Sequence, residues 1–210
     1  IGSISAPNLP GSFANLSSLQ LTGLNPRTLT RTIVAEDFHA PLADFPSGDD
    51  LIDASGLKAG KIGLQIFSGL GDDTVIGSAG NDTVNGGDGD DVALLGAGDD
   101  VFIWNPGDDN DVVEGQDGFD TLLFNGANVS ENVSIFANGG RVGFFRDVAS
   151  VTMDMNDVEQ ITFNALGGAD TIVVGDLSGT GMQVIRINLA GSGGLAALEE
   201  AQHGELVERS

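Results

Sequence analysis

Nine residues separate like from like in the middle of this chain. The units "SGLGDDTVI" (68–76), "GSAGNDTVN" (77–85), "GGDGDDVAL" (86–94) and "LGAGDDVFI" (95–103) set glycine at 71, 80, 89 and 98 and aspartate at 73, 82, 91 and 100. A period this short prescribes a solenoid, in which each unit buries its apolar face only by stacking on its neighbours. The glycine-rich half of a unit cannot be helical and must turn. The other half, "DTVI", "DTVN", "DVAL" or "DVFI", is made of strand formers. Each unit is thus a turn plus a short strand, and the middle strand residues Val75, Val84, Ala93 and Phe102 are expected to point inward.

Beyond this run the glycine–aspartate half fades while short apolar triplets continue. They centre near Gln20, Ile33, Ile52 and Leu64 before it, and near Leu123, Ser134, Gly143, Thr152, Thr162, Val173 and Ile185 after it. We read them as longer, less regular rungs of the same solenoid. "ANGGRV" (137–142) offers an alternative, an antiparallel hairpin closed through Asn138-Gly139. The expected organisation is a cap or irregular first rungs over 1–46, the regular repeats over 47–123 and a glycine–aspartate-poor continuation over 124–190. Residues 191–210 read as a joint, "GSGG", and a tail with Leu195, Leu198 and Leu206 in a helix-friendly background, either a cap or an appended remnant.

The 31 acidic and 8 basic residues give a net charge of −23. A compact body so charged repels itself unless cations neutralise it, and it makes a poor partner for nucleic acid or an anionic membrane. The chain has no cysteine, so neither disulfides nor thiolate metal sites hold it together. No apolar run reaches the length of a membrane span, and the start "IGSISAPNLP" lacks the features of a signal peptide. Either a signal has been removed, or export reads no N-terminal signal, or the chain is a piece of a longer protein.

Glycine and aspartate together point to a hard cation. Ca²⁺ takes six to eight oxygens from carboxylates and carbonyls. A glycine-rich turn bends sharply enough to aim its carbonyls inward, and aspartate, unlike glutamate, is short enough not to overshoot it. Stacked turns would then hold ions between them. The outer member of each acidic pair, at 72, 81, 90 and 99, falls on the opposite face and is expected to contribute solvation and a supporting field. The competing reading, polar turns capping strands, suits one "GDD" but not four in register. An EF-hand loop is not present.

The units resemble the Gly-Gly-x-Gly-x-Asp-x-apolar-x repeats of the RTX, or hemolysin-type calcium-binding, family, and "GGDGDDVAL" matches at every defined position. Ser78, Ser68 and Leu95 replace glycines in the other units. Degenerate copies surround Asp50 in "SGDDLID", Asp120 in "GQDGFDTLL" and Asp170 in "GGADTIV". "NPGDDNDVVE" (105–114) carries an apparent two-residue insertion that leaves Asp109 or Asp111 as the ligand. The resemblance implies a right-handed parallel β-roll with two units per turn and several calcium ions, roughly four to eight, between turns. Asp73 would face the 86–94 loop and Asp82 the 95–103 loop. The implied ligand set is Asp50, Gly69, Gly71, Asp73, Gly80, Asp82, Gly87, Gly89, Asp91, Gly96, Gly98, Asp100, with Asp109 or Asp111, Asp120 and Asp170. It also implies a secreted bacterial protein exported unfolded by type I machinery. Extracellular calcium modules bind with constants of ~10⁻⁴ to 10⁻³ M. The chain is therefore expected to stay largely unfolded until it meets calcium outside the cell.

Catalysis finds little support. His39 and His203 are the two histidines, and no HExxH helix is present. A polysaccharide-modifying enzyme would draw on Arg141, Arg146 and Arg186 beside Asp147 and Asp154. An adhesin or matrix protein would use Phe144, Phe145 and those arginines as a glycan-binding face. A calcium-binding module attached to a passenger, without catalysis of its own, is the main expectation.

Overall fold

The computed structural model describes residues 49–58 and 63–189, with the backbone of three further strands, Leu19–Gln20, Arg31–Val34 and Ala197–Glu200. In chain order the strands are β1 (Leu19–Gln20), β2 (Arg31–Val34), β3 (Leu51–Asp53), β4 (Leu64–Leu70), β5 (Thr74–Ile76), β6 (Thr83–Asp88), β7 (Val92–Ala97), β8 (Val101–Trp104) and β9 (Asp111–Asp117). They continue as β10 (Thr121–Asn125), β11 (Asn132–Asn138), β12 (Arg141–Arg146), β13 (Val151–Asn156), β14 (Gln160–Asn164), β15 (Thr171–Val174), β16 (Val184–Asn188) and β17 (Ala197–Glu200). Among the described residues they form a ten-stranded sheet, β1-β3-β5-β7-β9-β13-β12-β11-β15-β17, and a seven-stranded one, β16-β14-β10-β8-β6-β4-β2. As far as β10 the chain alternates between the sheets, each strand lying parallel to the one a full turn earlier. This is an all-β parallel β-roll, with two nine-residue units in each turn.

Strand alternation decides the core. Val75, Val84, Ala93 and Phe102 are at most 1% exposed, and the residues beside them are half-buried. With strands this short, one or two inward apolar side chains per unit leave a thin core, and further burial must come from the turns stacking tightly. Gly118 shows how tightly. Its φ is 145°, and a Cβ built there would stand 1.6 Å from the Gly98 carbonyl oxygen. Gly118→Ala is expected to cost more than about 3 kcal/mol, because strain and a backbone collision add. Gly56, with nothing within 4 Å, should tolerate alanine nearly unchanged. Thermal unfolding of the two variants checks this difference.

After β10 the march is interrupted. The centres near Ser134, Gly143 and Thr152 are not successive rungs but the strands of an antiparallel meander, β11-β12-β13, as the hairpin alternative has it. Asn138 pairs with Arg141, so Gly139 and Gly140 form the tight turn, and Gly139 supplies the left-handed φ of 67° that such a turn requires. β13 then settles beside β9, while β15 stacks on β11. The first sheet gains two strands here that the second lacks, since β14 pairs directly with β10. The tail also departs from expectation: Ala197–Glu200 is a strand, parallel to β15, and not a helix. An exposed strand edge offers unpaired backbone groups that override weak helical preference.

The bulky aromatic core gathers where the meander meets the roll. Trp104 stacks flat on Phe124 at 4.0 Å, and Phe144 and Phe163 pack around Phe124 at 4.3 and 5.9 Å. Trp104, Phe124 and Phe163 occupy one register position on successive strands β8, β10 and β14. The glycan-face expectation for Phe144 gives way here, because this ring is fully buried in the core.

Candidate metal centre

Two columns of acidic residues run along the edges of the roll, where the chain crosses from one sheet to the other. On the edge leading into β5, β7 and β9 stand Asp73, Asp91 and Asp111; on the edge leading into β6, β8 and β10 stand Asp82, Asp100 and Asp120. All six are at most 3% exposed. Each comes at the end of its turn, two residues before an inward strand residue, so alternation and the turn geometry together drive a carboxyl group inside.

Each column is a ladder. The Asp73 N–H donates to Asp91 Oδ1 at 2.7 Å and the Asp91 N–H to Asp111 Oδ1 at 3.0 Å. On the opposite edge Asp82 donates to Asp100 at 2.6 Å and Asp100 to Asp120 at 2.8 Å. The ladders extend to flanking elements: the Asp50 N–H donates to Asp73, the Leu64 N–H to Asp82, and the Asp120 N–H to Glu159. Asp170 accepts from the Glu131 N–H. Outer residues form a second ladder in the reverse sense, with the Asp90 N–H donating to Asp72, Asp99 to Asn81, Asn110 to Asp90 and Phe119 to Asp99. Sequence reading gave the outer pair members solvation and a supporting field; the signal for a ladder was their own nine-residue register.

Three of the inner carboxylates are left half-satisfied. Oδ2 of Asp91, Asp100 and Asp120 is buried without a hydrogen-bond partner. Burial is the first cause pushing these acids up, with the aspartates one turn away adding repulsion. Asp91 reaches about 8, Asp100 about 7, Asp111 about 9 and Asp120 about 6. A buried, charged, unpaired oxygen costs several kcal/mol unless a proton or a cation meets it. These oxygens point into their own turns: a Cβ on Gly86 would lie 2.0 Å from Asp91 Oδ2, and one on Gly115 2.6 Å from Asp120 Oδ2.

Backbone carbonyls of one turn lie close against the next. A Cβ on Gly87, Gly89 or Gly96 would lie 2.0, 2.1 or 2.0 Å from the carbonyl oxygen of Gly69, Gly71 or Ser78, and the Ser78 oxygen also accepts from the Ala97 N–H at 3.2 Å. No three acidic or histidine side chains converge among the described residues. A cation here would therefore take most of its oxygens from the backbone, as a hard ion such as Ca²⁺ accepts and a transition metal does not. The donor set fits the ion the sequence implies.

The model of the RTX calcium-binding nonapeptide repeat matches residues 67–102 and 107–123, in four copies. Residues 67–123 are a block of RTX repeats. Among curated proteins and among solved structures nothing matches. The RTX block is a calcium-binding repeat module, covering about a quarter of the chain.

Within the RTX block the departures from the repeat are chemically absorbed. The Ser78 N–H donates to Asp82 Oδ2 at 2.6 Å and its hydroxyl to Asp82 Oδ1 at 3.0 Å, so Asp82 has partners for both oxygens. Leu95 joins the core. Of the two residues the insertion leaves open, Asp111 takes the ladder position, while Asp109 lies exposed, its carbonyl accepting the Trp104 indole N–H at 2.9 Å. Gly80 is buried in the turn, its N–H bonded to the Ser78 hydroxyl. Of the catalytic candidates, Arg141 pairs with Glu114 and Asp154 on the outer face, Arg146 is buried, and Arg186 sits on the other sheet. The structure does not bring them together. His39 and His203 lie outside the described residues.

A substitution pair separates the two ladders. Asp100→Asn keeps an acceptor for the Asp82 N–H but removes the inward charge, and is expected to weaken calcium binding at that turn by about tenfold or more. Asp99→Asn, exposed on the outer ladder, should leave it within about twofold. Calcium titration of both variants by calorimetry reads the difference.

Proposed function

We propose that the RTX block is a calcium-gated folding module of a secreted bacterial protein, opened by low cytosolic calcium and closed by calcium outside. The observation that carries this reading is the row of buried Oδ2 atoms at Asp91, Asp100 and Asp120, which the fold leaves without partners. Chain segments that need a cation to bury their acids stay extended without it, which suits passage through type I secretion machinery. A net charge of −23 acts in the same direction. No helix among the described residues is long and apolar enough to cross a membrane. The module would stabilise, outside the cell, whatever passenger it is joined to.

Calcium titration of the chelated chain, followed by far-ultraviolet circular dichroism with magnesium as the control, tests the proposal. A cooperative gain of strand signal near millimolar calcium, absent with magnesium, is expected. Full strand content in chelator would overturn it.

A further inference from the structure

One turn on the acidic edge carries its own positive charge. Turn 126–131, "GANVSE", joins β10 to β11 as "GGDGDD" joins β6 to β7, and Glu131 stands immediately before its strand as Asp91 does. Its N–H donates to Asp170 Oδ1 at 3.0 Å, the same ladder bond. Gly126 precedes Glu131 by five residues, as Gly86 precedes Asp91, and a Cβ there would lie 2.5 Å from Glu131 Oε2. By geometry, this turn is a counterpart of the turns of the acidic column, set beyond the meander and laddered to Asp170. It differs in what meets the carboxylate.

Glu131 is fully partnered. It accepts from the Ala127 N–H at 3.2 Å and from Nε and Nη2 of Arg146. Arg146 is 2% exposed, its Nη1 donates to the Val148 carbonyl at 3.1 Å, and its guanidinium lies 5.3 Å from the Trp104 ring centroid. The longer glutamate side chain meets a guanidinium arriving from β12. That arginine is delivered by the meander, whose last β12 residue sits between Val133 of β11 and Val151 of β13.

We propose that Arg146 is the resident cation of turn 126–131, so that this turn takes no calcium and the meander holds its structure without it. The inference rests on the calcium reading of the RTX block. Core packing supports it: the meander buries Met153 and Met155 along with Phe144, whose ring packs on Phe124 and Phe163. The chain then has two parts with different demands, one closed by metal and one closed by its own side chain.

Amide hydrogen exchange of the full chain with calcium or chelator tests it. Chelation is expected to lower protection over 71–101 by about 100-fold or more and over 132–156 by less than about threefold. Arg146→Gln leaves Glu131 buried without a counter-charge, so the meander should lose about tenfold or more in chelator and regain it with calcium. In E131Q/R146Q that new calcium dependence should disappear. Wild-type protection over 132–156 falling with the same calcium midpoint as 71–101 would overturn the proposal, as would an R146Q loss equal at every calcium concentration. Protection over 71–101 that ignores calcium would instead remove the reading on which the proposal rests.

Discussion

Chelating calcium from the full chain is expected to abolish roughly half of the strand circular dichroism and to shift the emission of Trp104, the single tryptophan, to the red. Trp104 ends β8, stacks on Phe124 and donates its indole N–H to the carbonyl of Asp109. It therefore sits where the RTX block meets the aromatic core, and loses its cover when the turn 105–110 opens. The magnitude follows from linkage. A site with a constant of ~10⁻⁴ to 10⁻³ M, held at about 10 mM calcium, contributes about 1.4 to 2.7 kcal/mol. Three such sites, one for each partnerless oxygen at Asp91, Asp100 and Asp120, contribute about 4 to 8 kcal/mol. Small domains are stable by about 5 to 15 kcal/mol in all. On this arithmetic, calcium is expected to decide whether the block folds. An emission maximum that does not move between chelator and 10 mM calcium would show that the apolar rungs suffice.

The second large effect is an inverted pH profile. In calcium-free buffer the protein is expected to be most stable near pH 4 to 5 and to lose stability steadily toward pH 9. The acids of the inner ladders are raised above their ordinary value of 3.8, Asp120 to about 6, Asp100 to about 7, Asp91 to about 8 and Asp111 to about 9. The folded state then binds protons more tightly than the unfolded one. This stabilisation is complete below the unfolded value and disappears as pH rises through the folded values. With saturating calcium the slope reverses, since protons compete with the ion for the same oxygens. Thermal midpoints from pH 5 to 9 at about 0.5 M salt, which screens surface repulsion but not buried groups, read both curves. Stability that climbs with pH in calcium-free buffer would contradict the geometry of the inner carboxylates.

Much of this was legible in the chain because it repeats. Strand alternation alone sends Val75, Val84, Ala93 and Phe102 inward, and the nine-residue beat sends Asp73, Asp82, Asp91 and Asp100 to the turn interior. The choice between Asp109 and Asp111 was not legible, because an insertion erases the register and only the ladder bond from the Asp91 N–H restores it. Glu131 and Arg146 were invisible as a pair for another reason. They lie 15 residues apart in sequence that does not repeat, and a fold that reverses through Gly139 and Gly140 has to exist before they meet. The strand Ala197–Glu200 is of the same kind, set by the free edge of β15 and not by its own composition.

The inner ladders carry one further consequence. Their bond joins residues 18 apart at Asp73 and Asp91, 20 apart at Asp91 and Asp111, 23 apart at Asp50 and Asp73, and 39 apart at Glu131 and Asp170. What lies between two rungs does not matter, only that each returns the same backbone group to the same edge. Such an architecture is open to splicing. A loop can lengthen, or an entire hairpin can be let in between neighbouring turns, while the turns on either side keep their grip. A lineage built on this plan can therefore change its length and insert new parts one rung at a time, without redesigning the rest.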